Sequence, residues 1–120
     1  MPFQWMEYLA LARYLQGQGG GSFSQEAALR CAISRAYYAA FCHARNYARD
    51  QEGFTPTYQP EDHKLVREHF QKRGRAVIAT YLDHLRRWRN QCDYDDTVSN
   101  IHLMFIGAAN GAQQISDDLV

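Results

Sequence analysis

The chain has 120 residues, of which 46% are hydrophobic and 22% are charged, and its formal net charge is zero. This composition indicates one globular domain over residues 1–120 and excludes wholesale disorder. The longest apolar run, LMFIGAANGA, is shorter than the ~18 residues of a membrane span, and the N-terminus lacks the basic start of a secretory signal. We therefore expect a cytoplasmic protein that makes no membrane contact.

Hydrophobic periodicity predicts helices along the chain and no strand. The predicted helices cover residues 3–16, 24–51, 60–72, 75–92 and 100–116. The spacing of Ser22 and Gln25 predicts a capping box before the second helix, and Gly107 and Gly111 are expected to weaken the fifth. Short connections favour antiparallel neighbours, so we expect an all-α, antiparallel up-and-down bundle of four to five helices.

The second helix carries two different faces. At about 100° per residue, one face is apolar and predicts the core. It comprises Leu29, Ile33, Ala36, Tyr37, Ala40, Ala44 and Tyr47. The opposite face comprises Cys31, Arg35, Tyr38, Cys42, Arg45 and Arg49. A face that met only water would be plainly polar. This one therefore indicates a second contact surface, which either binds a ligand or is covered by another helix of the chain.

Charge is unevenly distributed along the sequence. Residues 63–92 hold eight basic and two acidic side chains, a net charge of +6, whereas residues 93–120 hold five aspartates and no basic residue. A basic segment attracts phosphate, and the acidic segment after it either repels phosphate or pairs with the basic part. The simpler interpretation is a solvated basic face beside an acidic terminus.

The stretch RRWRNQCDYDD, residues 86–96, joins the basic and acidic parts. Arg89 lies on the edge of the fourth helix's apolar stripe, so we expect its stem to be half-buried and its guanidinium to lie at a crevice. Asp93 follows one turn later and is its nearest predicted partner. Asp83 and Arg87 have the same i, i+4 spacing. These two ion pairs, followed by aspartates in a turn, account for the stretch without a function.

No pattern in the sequence indicates a metal or a cofactor. The five histidines lack the HExxH spacing, and none lies near two cysteines. The glycine-rich GQGGGS follows a helix instead of joining a strand to a helix, which a phosphate-binding loop requires. We therefore predict neither a metal nor a cofactor.

Three segments together resemble the HEPN family. They are SRAYYAAFCHARNYA on the long second helix, DHK at the start of the third, and LRRWRNQCDYDD at the end of the fourth. The resemblance covers nearly the whole chain. It implies a small helical bundle that forms a homodimer and acts with a minimal nucleotidyltransferase as a toxin–antitoxin pair. Active members are metal-independent ribonucleases whose motif is an arginine, a polar residue and, after four to six intervening residues, a histidine.

Carried over to this sequence, Arg89 takes the arginine position and Asn90 the polar position of the family motif. Tyr94 stands where the first histidine is expected, and no histidine follows before His102. Tyrosine has a pKa near 10, so it is a poor proton acceptor at neutral pH. We therefore expect a nucleotide- or RNA-associated protein that is non-catalytic or weakly catalytic. The alternatives are a metal-independent endoribonuclease that uses Arg89, Asn90 and Tyr94, and a purely structural module for protein interaction.

The resemblance also gives the second face of the long helix an interpretation. The candidate binding residues are Arg35, Tyr38, Arg45, Arg49, Arg86 and Asp93. An arginine and a tyrosine together hold a phosphate and stack on a base. Two alternatives remain open: the face forms the dimer contact over residues 31–49, or Arg35 pairs with Asp93 or Asp95.

Overall fold

The computed structural model describes residues 2–120, and these form five helices and no strand. The helices are α1 (Glu7–Leu15), α2 (Gln25–Glu52), α3 (Asp62–Lys72), α4 (Ala76–Tyr94) and α5 (Ile101–Asp118). The predicted all-α helical bundle is confirmed. The central element is α2, which packs against α1, α4 and α5, while α3 packs mainly against α4. In the described part of the chain, no helix has the length and apolar character needed to cross a bilayer.

The core forms around the apolar face of α2, as its periodicity predicts. The side chains that are at most 1% exposed on this face are Leu29, Ile33, Ala36, Tyr37, Ala40 and Ala44. Equally buried residues from the other helices are Val66, Phe70, Leu82, Leu85 and Ile115. Alanine is frequent on this face, so neighbouring helices approach α2 closely. The rigid packing fixes the direction of the opposite face of α2, where the arginines lie.

The N-terminus of α2 differs from the prediction in its capping residue. Ser24 is the N-cap, with extended backbone, and its hydroxyl accepts a hydrogen bond from the Ala27 amide at 3.1 Å. The predicted capping box of Ser22 and Gln25 is therefore wrong, because Gln25 already lies in the helix and its side chain donates to the Gln16 carbonyl. Serine at position 24 gives the same chemistry two residues later.

The first helix begins at Glu7 and not at residue 3. Phe3, Trp5 and Tyr8 form an aromatic cluster instead, with ring centroids 5.0 Å apart for Phe3 and Trp5 and 5.2 Å for Phe3 and Tyr8. Residues two positions apart do not face each other on a helix, so this cluster requires a turned backbone before α1. The cluster brings an aromatic surface beside the arginine face of α2.

The fifth helix is continuous through both of its glycines, so the expected weakening is wrong. A Cβ at Gly107 would lie 3.0 Å from Trp88 Cη2, and one at Gly111 would lie 3.6 Å from the Tyr81 ring. The two glycines therefore allow α5 to lie close against α4. Their packing compensates for the low helix propensity of glycine.

Candidate functional site

Arginine and aromatic side chains alternate along the second face of α2. Arg35 lies over the rings of Tyr8 and Tyr38, with its guanidinium carbon 5.0 and 5.3 Å from the two centroids. Arg89 reaches the same Tyr38 ring from α4, at 5.3 Å. Distances below about 6 Å are typical of cation–π interactions. One tyrosine is therefore in contact with arginines from two helices.

Arg45 continues this series on α2, about two turns after Tyr38. Its guanidinium lies 5.3 Å from the Tyr58 ring, 5.8 Å from the Trp5 ring and 5.9 Å from the Phe41 ring. Its side-chain hydrogen bond goes to the neutral amide of Asn46, at 3.0 Å. No carboxylate within 4 Å forms an ion pair with Arg45 in the described residues 2–120. Its charge is therefore held by ring faces and available to an anion.

Arg89 is held from several sides at once. Its Nη2 donates to the Tyr38 hydroxyl and its Nη1 to the Asn90 side-chain oxygen, both at 2.9 Å. Its Nε lies 3.1 Å from Asp93 Oδ2, which confirms the predicted ion pair. The Nε–H is not directed at this oxygen and makes no hydrogen bond, so the contact is electrostatic only. Arg89 is thus fixed in direction and only partly neutralised.

His63 supplies an imidazole beside Arg89, although the two are far apart in sequence. It comes from the first turn of α3, stacks on Phe41 with centroids 4.3 Å apart, and its Nδ1 is hydrogen-bonded to the Tyr37 hydroxyl. Burial lowers the pKa of His63, and the charges of Arg89 and Arg67 lower it further. The imidazole is therefore neutral at physiological pH and able to accept a proton.

Arg45, Arg89 and His63 line one open groove of about 480 Å³, which we call the His63 groove; Arg35 and Asp93 lie outside its lining. Its lining residues are Tyr38, Phe41, Arg45, Tyr58, Gln59, Pro60, Asp62, His63 and Arg89. Two arginines lie on its walls together with three aromatic rings. Guanidinium groups bind phosphate, and ring faces stack on bases, so the groove suits a nucleotide.

Asp62 is the carboxylate of the groove, but it serves the loop before α3. Only 3% exposed, it accepts hydrogen bonds from the Thr57 amide (3.0 Å), the Thr57 hydroxyl (2.6 Å) and the Tyr58 amide (2.8 Å). Burial opposes its ionisation, but these hydrogen bonds outweigh burial and lower its pKa. The carboxylate holds Tyr58 in a left-handed conformation, with φ of 57°, where its ring faces Arg45.

The C-terminal end of α4 and the turn that follows it are held by a residue that the sequence did not single out. Arg30 on α2 donates to the carbonyl oxygens of Cys92, Asp95 and Asp96 at 3.0, 2.6 and 3.1 Å. Tyr94 lies in the last turn of α4, is 76% exposed and makes no side-chain hydrogen bond to Arg89. The candidate tyrosine is therefore directed to solvent.

The alternative pairing of Arg35 with Asp93 or Asp95 is wrong. Within the described residues, Arg35 has no carboxylate partner and its Nε makes no hydrogen bond, because Asp93 is engaged by Arg89. The remaining two candidates, Arg49 and Arg86, are held by other partners. Arg49 pairs with Asp50 at 2.8 Å and donates to the Tyr58 hydroxyl, while Arg86 donates to Asp83 at 3.0 Å.

No protein-family model, curated protein or solved structure matches the chain. The resemblance to the HEPN family therefore rests on the segments SRAYYAAFCHARNYA, DHK and LRRWRNQCDYDD alone. The chemistry open to the protein follows from the His63 groove itself, where fixed cations, ring faces and a neutral imidazole face the same space.

Proposed function

We propose that the protein is HEPN-like and binds a nucleotide or single-stranded RNA in the His63 groove, as a non-catalytic or weakly catalytic partner of a nucleotidyltransferase. The observation that carries this proposal is the convergence of Arg45 and Arg89 on one open groove, each with its guanidinium over aromatic rings. Such rings orient the arginines without neutralising them.

The charge balance of the groove supports binding of an anion. Asp93 lies beside Arg89 without a hydrogen bond, and the carboxylate of Asp62 is occupied by the Thr57 and Tyr58 donors. Each Nη of Arg89 has one N–H beyond those that donate to Tyr38 and Asn90, so a phosphate can bind there without first breaking a bidentate carboxylate pair. Bases attached to that phosphate find the rings of Tyr38 and Tyr58 nearby.

Fluorescence anisotropy with a labelled oligouridylate tests this function. Arg45→Gln and Arg89→Gln should each weaken binding about fivefold, the effect of one phosphate contact at ~4 Å in water. Arg13→Gln is the matched control, because it removes the same charge from α1, where Arg13 contacts Gln113 of α5. The affinity of the wild type should fall steeply as salt rises from about 50 to 200 mM. Absent or salt-insensitive binding, or an equal loss in the control, would refute the proposal.

The partner assignment rests on the family resemblance and has its own test. Co-purification with the product of an adjacent gene is expected if that gene encodes a nucleotidyltransferase. If the basic segment instead docks an acidic partner and does not bind RNA, the protein is a purely structural module for protein interaction. In that case Arg45→Gln would leave co-purification unchanged, and the protein would show no affinity for the oligouridylate.

A second candidate, a metal-independent endoribonuclease, is favoured by the neutral His63 in the same groove as Arg89. In this reaction His63 takes the proton from a ribose 2′-hydroxyl, and the 2′-oxygen attacks the adjacent phosphorus. The bond to the 5′-oxygen breaks, and that oxygen takes up a proton from solvent water as it leaves, while His63 later returns its proton to solvent. Arg89 stabilises the charge that develops on the phosphoryl oxygens. His63 thus replaces Tyr94 as the candidate proton acceptor.

Cleavage of RNA in the presence of EDTA separates the two candidates. An enzyme of this kind loses activity about 10²-fold or more in His63→Gln and Arg89→Gln. Tyr94→Phe is the control, because the Tyr94 side chain is exposed and should leave the rate unchanged. Equal inertness of the wild type and both groove variants would exclude the enzyme and leave the binding function standing.

A further inference from the structure

A second basic groove lies between α3 and α4, next to the His63 groove. It has a volume of about 450 Å³, and we call it the Asp83 groove. Its lining residues are Lys64, Arg67, Glu68, Gln71, Ala79, Thr80 and Asp83. The charges of Lys64 and Glu68 cancel in an i, i+4 ion pair at 3.7 Å. The net charge of this groove therefore depends on the residues around Asp83.

Three arginines share the single carboxylate of Asp83. Arg67 from α3 lies 3.8 Å from it, and Arg86 and Arg87 from α4 lie 3.0 and 2.9 Å from it. Three guanidinium charges against one carboxylate leave a local charge of +2. Asp83 therefore holds the cluster together but does not neutralise it. The Nε of Arg86 is buried and makes no hydrogen bond, so Arg86 is held against Asp83 through its Nη2.

The two grooves are adjacent and share one wall. His63 lines the first groove and Arg67 the second, and Arg67 Nη1 donates to the His63 carbonyl oxygen at 2.9 Å. The two residues are four positions apart, about 6 Å along α3. On α4, Arg86 and Arg89 lie on one face at i, i+3 spacing. Positive charge therefore continues from one groove to the other.

We propose that the ligand is an oligonucleotide, with one phosphate in the His63 groove and a neighbouring phosphate at the Arg67 guanidinium of the Asp83 groove. This rests on the proposed function and specifies its ligand as a strand of at least two phosphates. A mononucleotide fills only the first groove. A longer strand crosses the first turns of α3 and gains a contact with Arg67.

The test compares oligouridylates of about one to eight nucleotides, within the length that single-strand binders cover. The affinity of the wild type should rise with length. Arg67→Gln should weaken binding of the longest strand about fivefold, as loss of one phosphate contact. It should also reduce the slope of log affinity against log salt by about 0.7. Lys72→Gln removes the same charge from the same helix outside both grooves and should leave the affinity and the slope unchanged.

The outcomes distinguish this inference from the function on which it rests. Binding that depends on Arg89 but does not strengthen with length would overturn the second phosphate position and leave the function intact. The same conclusion follows if Arg67→Gln and Lys72→Gln behave alike. Absence of binding at every length would overturn both. Arg86→Gln provides a second variant of the arginine cluster around Asp83, and circular dichroism checks that each variant is folded.

Discussion

Arg30→Met is expected to lower the free energy of unfolding by about 2–3 kcal/mol. The guanidinium of Arg30 donates to three backbone carbonyls at the end of α4, and its contact with Cys92 is partly buried while those with Asp95 and Asp96 are exposed. A hydrogen bond from a charged donor contributes about 1.5 kcal/mol or more when shielded, and an exposed one about 0.5 kcal/mol. The partly buried bond contributes about 1.5 kcal/mol and the two exposed carbonyl bonds about 1 kcal/mol together. The exposed i, i+4 ion pair of Arg30 with Glu26, at 3.0 Å, adds about 0.4 kcal/mol, so the total is about 3 kcal/mol.

Urea unfolding followed by circular dichroism measures this loss. Methionine keeps the apolar stem of Arg30, so the measured difference reports the guanidinium. Arg87→Met is the matched control, because its side chain is 66% exposed and its partner Asp83 retains Arg67 and Arg86. An exposed pair contributes at most about 1 kcal/mol. If the two variants lose the same stability, the reasoning about the α4 terminus is refuted.

Three further outcomes are expected. Asp62→Ala should cost about 3 kcal/mol in urea unfolding, because it removes the buried carboxylate that accepts from the Thr57 and Tyr58 donors. The exposed Glu61→Ala should cost less than about 0.5 kcal/mol, and similar costs would contradict the role of Asp62. The folded protein lowers the pKa of His63, so His63 binds protons more readily in the unfolded state, and the free energy of unfolding should fall as pH drops below about 6.5. The His63→Gln variant should lose less of this free energy over the same pH range, and an equal loss would contradict the assignment. In sedimentation, Tyr38→Glu should convert the expected homodimer to monomers if residues 31–49 form its contact, and an unchanged dimer would place the contact elsewhere.

The helices were predictable because their signals are local. Apolar side chains recur along α2 and α4 with the helical period, and glycines end α2 at Gly53 and follow α3 at Gly74, both with positive φ. The arginine face of α2 was predictable for the same reason, since Arg35, Tyr38 and Arg45 lie on one side of one helix. A single periodic pattern was enough to place those side chains together.

The remaining parts of the site depend on how the helices pack, which has no local signal. His63 comes from α3 and lines the same groove as Arg89, although the family motif places its histidine in the residues that follow the arginine. Arg30 likewise lies 62 positions before its first acceptor, Cys92. In the sequence, only the DHK segment pointed to His63. The position of that segment before α4 does not indicate that His63 and Arg89 line the same groove.

The close approach of Gly107 to Trp88 has a consequence for how this sequence can diverge. Trp88 precedes Arg89 on α4, and its ring lies where a side chain on position 107 would begin. A larger residue at 107 requires the indole to give way by a few tenths of an ångström. Position 107 lies outside both grooves, yet variation there should be restricted by its contact with the residue that precedes Arg89.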